Sequence, residues 1–186
     1  MINEVDGFPG LLVMEPKIFS DERGYFFESF RDETLISSGV KIDFVQDNES
    51  CSSKNVLRGL HFQRPPREQA KLVRAVNGSI LDVVVDIRKN SPAFGKHFSV
   101  ILSARNHKML YIPAGFAHGF LSLEDNSVVT YKCSGYYNKE SEVTLLWNDD
   151  GLNIEWGITE PLVSVKDRQG ISFRNFNSPF LMPSND

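Results

Sequence analysis

Four histidines, His61, His97, His107 and His118, are the side chains of this 186-residue chain best suited to moving protons near neutral pH. His61 sits in Leu57-Arg58-Gly59-Leu60-His61, inside a stretch that reads as a strand, and His118 follows Pro113-Ala-Gly115-Phe-Ala. A single strand histidine is ordinarily a hydrogen-bonded, partly buried side chain, so neither position signals chemistry alone. His97 and His107 border loop-like sequence and read as solvated. Lys71 is more telling: it shares a strand face with Val73 and Ala75, and an inward ammonium is costly without an anion beside it. Tyr131 shares its face with Val129, Cys133 and Gly135 while Lys132 points the other way, which turns the phenol inward; taken singly, that describes a core tyrosine with a satisfied hydroxyl. Cys51 and Cys133 lack CxxC spacing and are too few for a disulfide framework, so buried free thiols in a reducing compartment are expected.

The elements that must position these groups are mostly strands. In Ser79 to Arg88 the residues Leu81, Val83, Val85 and Ile87 are apolar and Asp82, Asp86 and Arg88 fall on the other phase, predicting one buried face. Further strands are predicted at Gly24 to Phe30, Val56 to Gln63, Lys71 to Val76, Lys96 to Ser103, Lys108 to Pro113, His118 to Leu123 and Ser127 to Tyr137. Asn77-Gly78, Ser91-Pro92, Pro113-Ala-Gly115 and Glu124-Asp125-Asn126 punctuate them as turns. Arg31 to Ser38 suits a short helix with Asp32 near its start and Gly39 as its C-terminal cap, and another helical turn or two belongs near the C-terminus. Many short strands with such punctuation predict an antiparallel sandwich or barrel. Residues 1–186 read as one domain, with 175–186 an extended or frayed tail because Pro179 and Pro183 interrupt it.

Composition bounds the function. With 41% hydrophobic and 24% charged residues the chain can fill a core and lacks the signature of disorder. A net charge of −4 argues against nucleic-acid binding, though not against a local basic pocket for a small phosphorylated ligand. The N-terminus has no basic segment followed by an apolar core, and no apolar run approaches the ~18 residues that span a bilayer. A cytoplasmic protein without membrane partners is expected.

The segment Pro113-Ala-Gly115-Phe-Ala-His118 resembles the second motif, PxGxxH, of the cupin superfamily. In metal-binding cupins a Glu precedes a turn glycine by seven residues; counting back from Gly78 reaches Lys71, and a charged ammonium cannot ligate a cation. No His-x-His pair accompanies His61, so a metal site is disfavoured. The resemblance then narrows. The segments Phe19-Ser-Asp-Glu-Arg23-Gly-Tyr-Phe-Phe-Glu28, Gln46-Asp-Asn48, Leu57 to His61, Gln69 to Arg74, Asp82 to Arg88, Ser91 to Gly95, Ile112 to Phe120, Tyr131 to Tyr137 and Lys166-Asp167 together resemble the dTDP-4-dehydrorhamnose 3,5-epimerase family over about residues 8 to 167. One departure is the absence of the proline the family usually carries shortly after its Lys-Asp pair; here the chain reads Lys166-Asp167-Arg168-Gln169-Gly170-Ile171.

That resemblance implies an all-β fold, the cupin-type double-stranded β-helix or jelly roll with a few short peripheral helices. It implies an epimerase that inverts C3 and C5 of dTDP-4-dehydro-6-deoxy-D-glucose, without a cofactor, in deoxysugar and surface polysaccharide biosynthesis. His61 resembles the base, Asp167 its orienting partner, Lys71 the group that stabilises negative charge on O4, and Tyr131 the acid on the opposite ring face. Arg23 and Arg58 are implied at the diphosphate, with Lys166, Glu28, Gln46, Asn48, His118 and Glu142 around sugar or nucleotide. Phe19, Phe26 and Tyr137 are implied to pack on sugar or base, core packing being an equal reading for Phe26. A homodimer is implied, with the stretches around Arg23 and Gln46 belonging to the neighbouring subunit's site. A single-centre epimerase of a related 4-keto sugar nucleotide and a non-catalytic sugar-nucleotide-binding jelly roll stay open. Strand parity sets a puzzle: a regular strand puts Arg58 and His61 on opposite faces, and a bulge at Gly59 would reconcile them.

Overall fold

The structure is a computed structural model and describes residues 1–182. In chain order its elements are β1 (Ile2–Glu4), β2 (Leu12–Met14), β3 (Phe19–Asp21), β4 (Gly24–Phe26), α1 (Asp32–Ile36), β5 (Gln46–Ser52), β6 (Val56–Gln63), β7 (Lys71–Asn77) and β8 (Ser79–Asp86). They continue with β9 (Arg88–Lys89), β10 (His97–Ser103), β11 (Met109–Ile112), β12 (Phe116–Ser122), β13 (Ser127–Cys133), β14 (Glu142–Thr144), β15 (Leu162–Val163), α2 (Val165–Arg168), a 3₁₀ turn (Phe173–Asn175) and β16 (Phe180–Leu181). One sheet runs β1-β2-β11-β7-β13-β5 and the other β10-β8-β12-β6-β14, with β15 added to β6. This is the jelly roll expected from the sequence. No helix among the described residues is long and apolar enough to cross a membrane.

Three apolar clusters hold the layers. Between the sheets, Val73, Ala75, Leu110, Ile112 and Val129 of the first meet Ile80, Val84, Leu102, Phe116 and Phe120 of the second. The outer face of the second sheet, including Leu57, Leu60, Val83, Val85, Ala117 and Leu121, is covered by Leu152, Trp156, Val163 and Phe180 from the C-terminal third. The outer face of the first sheet packs Leu72, Met109 and Tyr111 against Leu35 of α1 and the partly buried Val40, Ile42 and Phe44.

This double coverage corrects the prediction for Ser79 to Arg88. β8 is buried on both faces because it lies between β10 and β12 and carries apolar layers on either side. Its second phase, Ile80, Asp82, Val84 and Asp86, faces inward, and both aspartates are fully buried. Asp86 is satisfied by Arg88 (Nη2 to Oδ2 2.6 Å), the Arg88 amide and Ser91 Oγ. The β4 strand ends at Phe26 rather than at Phe30, since Phe27 turns to pack on His107 and under the Arg74 guanidinium. β13 ends at Cys133, short of Tyr137. The tail is pinned rather than frayed: β16 pairs in parallel with β9 and Ser178 is buried; residues 183–186 of the predicted tail lie outside the described residues. His97 and His107 are partly buried, not solvated, with His97 Nδ1 on the Leu152 carbonyl and His107 against Tyr25 and Phe27. Cys133 is buried as expected, but Cys51 is exposed on the outer phase of β5.

Candidate active site

The lumen face of the barrel carries its polar residues at one end. On β7 and β13 the inward phases Lys71-Val73-Ala75 and Val129-Tyr131-Cys133 place Lys71 directly across from Cys133, and Tyr131 beside Val73. On β5 the inward phase is Gln46, Asn48, Ser50 and Ser52, with Asn48 paired across from Tyr131. Opposite, β6 contributes Arg58 and His61, and β12 contributes His118, in register with His61. These side chains enclose a cavity of about 640 Å³ that includes Arg58, His61, Lys71, His118, Tyr131, Glu142, Lys166 and Asp167 in its wall. A smaller one of about 160 Å³ adjoins it and adds Gln46, Asn48 and Tyr137.

The bulge anticipated at Gly59 is present. From Arg58 to His61 β6 advances three residues while its partner β12 advances two, from Phe120 to His118. The extra residue resets the alternation, so Arg58 and His61 both look into the cavity and Leu57 and Leu60 both face the outer core. Arg58 Nε is held at 3.1 Å by Ser52 Oγ.

His61 and Asp167 form a dyad, with Nε2 2.6 Å from Oδ1, the imidazole about a quarter exposed and the carboxylate almost wholly buried. Asp167 sits in α2, whose first turn is capped by Ser164 Oγ accepting from the Asp167 amide at 3.1 Å, so the carboxylate is fixed without the family's proline. Its Oδ2 accepts from the Gly59 amide at 3.4 Å. Burial pushes the Asp167 pKa up, but the hydrogen bond and charge of His61 and the two backbone and hydroxyl contacts outweigh it, so the carboxyl lies below its ordinary value. With Nε2 so engaged, Nδ1 is the ring nitrogen left for a substrate.

Facing the dyad from the other sheet, the Lys71 ammonium lies 5.8 Å from the Tyr131 ring centroid. Burial depresses the Lys71 pKa, with the charges of Asp82 and Glu142 opposing that shift. Burial likewise raises the Tyr131 pKa, which keeps the phenol protonated and able to donate. At the mouth, Lys166 Nζ binds Glu142 Oε1 at 2.6 Å and Tyr137 Oη donates to Glu142 Oε2 at 3.0 Å. Burial pushes Glu142 up, but Lys166 and Tyr137 bring it below the usual carboxylate value.

The geometry changes the expected electrostatics. In the cavity wall Arg58, Lys71 and Lys166 stand against Glu142 and Asp167, with Asp82 buried outside that wall, so the cavity is mixed in charge and not lined by cations alone. Asp82 was not singled out in the sequence; its Oδ2 is 2.9 Å from His118 Nε2, making a second imidazole–carboxylate pair. The alternate phase of β8 is the signal that could have found it. Gln46 and Asn48 line this chain's own cavity, contrary to the expectation that their stretch serves a neighbour. Phe19, Arg23, Phe26 and Glu28 do not reach it: Arg23 pairs with Asp21 and Glu28 with Arg31 on the surface, and Phe26 is 66% exposed, which removes the core-packing reading. Among the described residues no group of three or more His, Cys, Asp or Glu is placed to hold a metal ion.

Residues 6–175 match the family described as dTDP-4-dehydrorhamnose 3,5-epimerase. The curated enzyme of that name from Shigella flexneri is 52% identical over 166 residues, covering 89% of this chain and 92% of its own. The crystal structure of a dTDP-6-deoxy-D-glucose-3,5-epimerase from Legionella pneumophila, in complex with dTDP-4-keto-L-rhamnose, is 40% identical with a TM-score of 0.91, covering 98% of this chain and 99% of its own. A 3′-monoepimerase from Streptomyces bikiniensis in complex with dTDP-quinovose is more distant, 36% identical with a TM-score of 0.85, covering 89% and 85% of the two chains. With the fold, the dyad and these likenesses together, the chain belongs to the dTDP-4-dehydrorhamnose 3,5-epimerase family.

Proposed function

We propose that the protein inverts C3 and C5 of dTDP-4-dehydro-6-deoxy-D-glucose to give dTDP-4-dehydro-L-rhamnose. The observation that carries this reading is an imidazole–carboxylate dyad on one sheet facing an ammonium and a protonated phenol on the other, across one cavity. The C3 and C5 protons are acidic because both carbons adjoin the C4 carbonyl. His61 Nδ1 removes one, and the bonding pair moves through the ring to O4 as an enolate. Lys71, withdrawn from bulk water by burial, stabilises that oxygen with its charge. Tyr131 then delivers a proton to the same carbon from the opposite face, which inverts it. The phenolate regains a proton from solvent and His61 loses its own to solvent, so each inverted centre carries one solvent-derived hydrogen. Both steps use this chain's own residues.

Arg58 and His118 are assigned to the diphosphate and sugar, and Gln46, Asn48, Tyr137, Glu142 and Lys166 to the remaining polar contacts. Phe19, Arg23, Phe26 and Glu28 are assigned to the nucleotide in a partner's site within a homodimer. What supports this is the exposed β3–β4 hairpin, with Phe19 52% and Phe26 66% exposed and the Arg23 side chain directed to solvent. A single domain acting in the cytoplasm on a soluble nucleotide sugar fits this reading. Product NMR after incubation with the 4-keto nucleotide tests it. The product inverted at both C3 and C5 is expected; a product inverted at one centre assigns the chain to the single-centre class, and binding without turnover assigns it to sugar recognition alone.

A further inference from the structure

The β6 bulge does more than turn two side chains inward. Gly59, the extra residue, adopts φ +134°, where L side chains are strained, and a Cβ there would lie 2.5 Å from Gly119 Cα. Conversely, a Cβ on Gly119 would lie 2.7 Å from the Arg58 carbonyl oxygen and 3.0 Å from Gly59 Cα. Both obstructions are backbone, so no rotamer change relieves them. The two strands approach at this point only because both residues lack a side chain. The same bulge releases the Gly59 amide from the β6–β12 ladder and aims it at Asp167 Oδ2, 3.4 Å away, while the carboxylate's other oxygen holds His61.

We propose that Gly119, a residue of the cavity wall with no side chain to offer a substrate, is a positioning residue: its missing side chain admits the Gly59 bulge, and the bulge sets Arg58, His61 and the Asp167 carboxylate in one arrangement. This rests on the reading of His61 as base only where activity is the readout. The test compares Gly119→Ala with Gly95→Ala, whose Cβ would meet the Phe173 ring at 2.9 Å, away from the cavity, and so controls for lost stability. Gly119→Ala is expected to lower kcat by about 10²-fold, the scale of a misplacement near 1 Å, and Gly95→Ala to stay within about twofold per folded molecule. Combined with Asp167→Asn, Gly119→Ala should cost much less than its single loss predicts, because both act on one carboxylate. Near-normal kcat in folded Gly119→Ala, or losses that multiply in full, would overturn the proposal. If Gly119→Ala does not fold, the Gly59 amide proton of the otherwise unchanged protein gives an answer independent of activity: Asp167→Ala should move its NMR signal upfield, and an unmoved signal overturns the proposal.

Discussion

Asp167→Asn should harm this enzyme more than Asp167→Ala, although asparagine is the closer isostere. In the native site Oδ1 lies 2.6 Å from His61 Nε2 and Oδ2 accepts the Gly59 amide at 3.4 Å. An asparagine must decide which neighbour faces its NH₂ group. Turned toward Gly59, two donors oppose each other in a buried place; turned toward His61, the amide donates to Nε2 and forces the ring proton onto Nδ1. The second choice is the better satisfied, and it removes the lone pair that accepts the substrate proton. Alanine forfeits a charge-assisted hydrogen bond of about 1.5–3 kcal/mol, hence a rate loss of about 10- to 150-fold, but leaves the ring free to present an unprotonated Nδ1. Asparagine adds the wrong tautomer, for a loss of order 10³–10⁴-fold. Rates of C3–H and C5–H exchange in deuterated water, followed by proton NMR on the 4-keto nucleotide, give both numbers. Asparagine equal to or faster than alanine would refute the tautomer argument.

Replacing Lys71 by Met should lower kcat by about 10²–10³-fold, since one charge-stabilising donor is lost, while raising stability at pH 7 by about 1–2 kcal/mol, or roughly 2–8 °C in Tm. The sign follows from burial: the folded-state pKa of Lys71 is depressed, so the unfolded chain binds more protons and wild-type stability rises as pH climbs through the folded value toward the unfolded one, a rise that Lys71→Met should abolish in pH-dependent melting curves. Tyr131→Phe should retain solvent exchange at the carbon facing His61 yet release little inverted product; loss of exchange together with inversion would remove Tyr131 from its role as acid. Mixing inactive His61→Ala with weak-binding Arg23→Ala subunits should restore activity if Arg23 serves a partner's site, whereas two variants that stay inactive after subunit exchange would place it elsewhere. Asp86→Ala, which strands the buried Arg88 guanidinium, should cost about 3–5 kcal/mol in denaturant melts with kcat per folded molecule unchanged.

Most of the longer strands with apolar buried faces were legible in the sequence, whereas the three-residue β2, with Leu12 and Met14 buried, was too short to show an alternation. β6 matches its predicted bounds, and β7, β10, β11 and β12 are displaced by at most two residues at an end. β5 was not, because its inward phase is Gln46, Asn48, Ser50 and Ser52: it lines a polar cavity, so hydrophobic alternation is missing where function needs it gone. Asp82 hid for the related reason that a buried carboxylate paired through one oxygen with His118 reads, in sequence, like a solvated strand face. The inward direction of Lys71 and Tyr131 followed from strand parity alone, and the Gly59 bulge from the conflict between parity and resemblance. The Glu142 network with Lys166 and Tyr137 joins residues up to 29 positions apart and depends on how the segment between β14 and α2 returns to the barrel, which no local pattern encodes. Tertiary contact also decided where β4 stopped, through the Phe27 contacts to Arg74 and His107.

The most direct test of the central claim is time-resolved NMR of the purified protein with dTDP-4-dehydro-6-deoxy-D-glucose in deuterated water. Two inversions by one base and one acid predict that deuterium enters both C3 and C5 and that the accumulating product is L-configured, with both labels lost in His61→Ala. Label confined to one carbon, or product without solvent-derived deuterium, would contradict it.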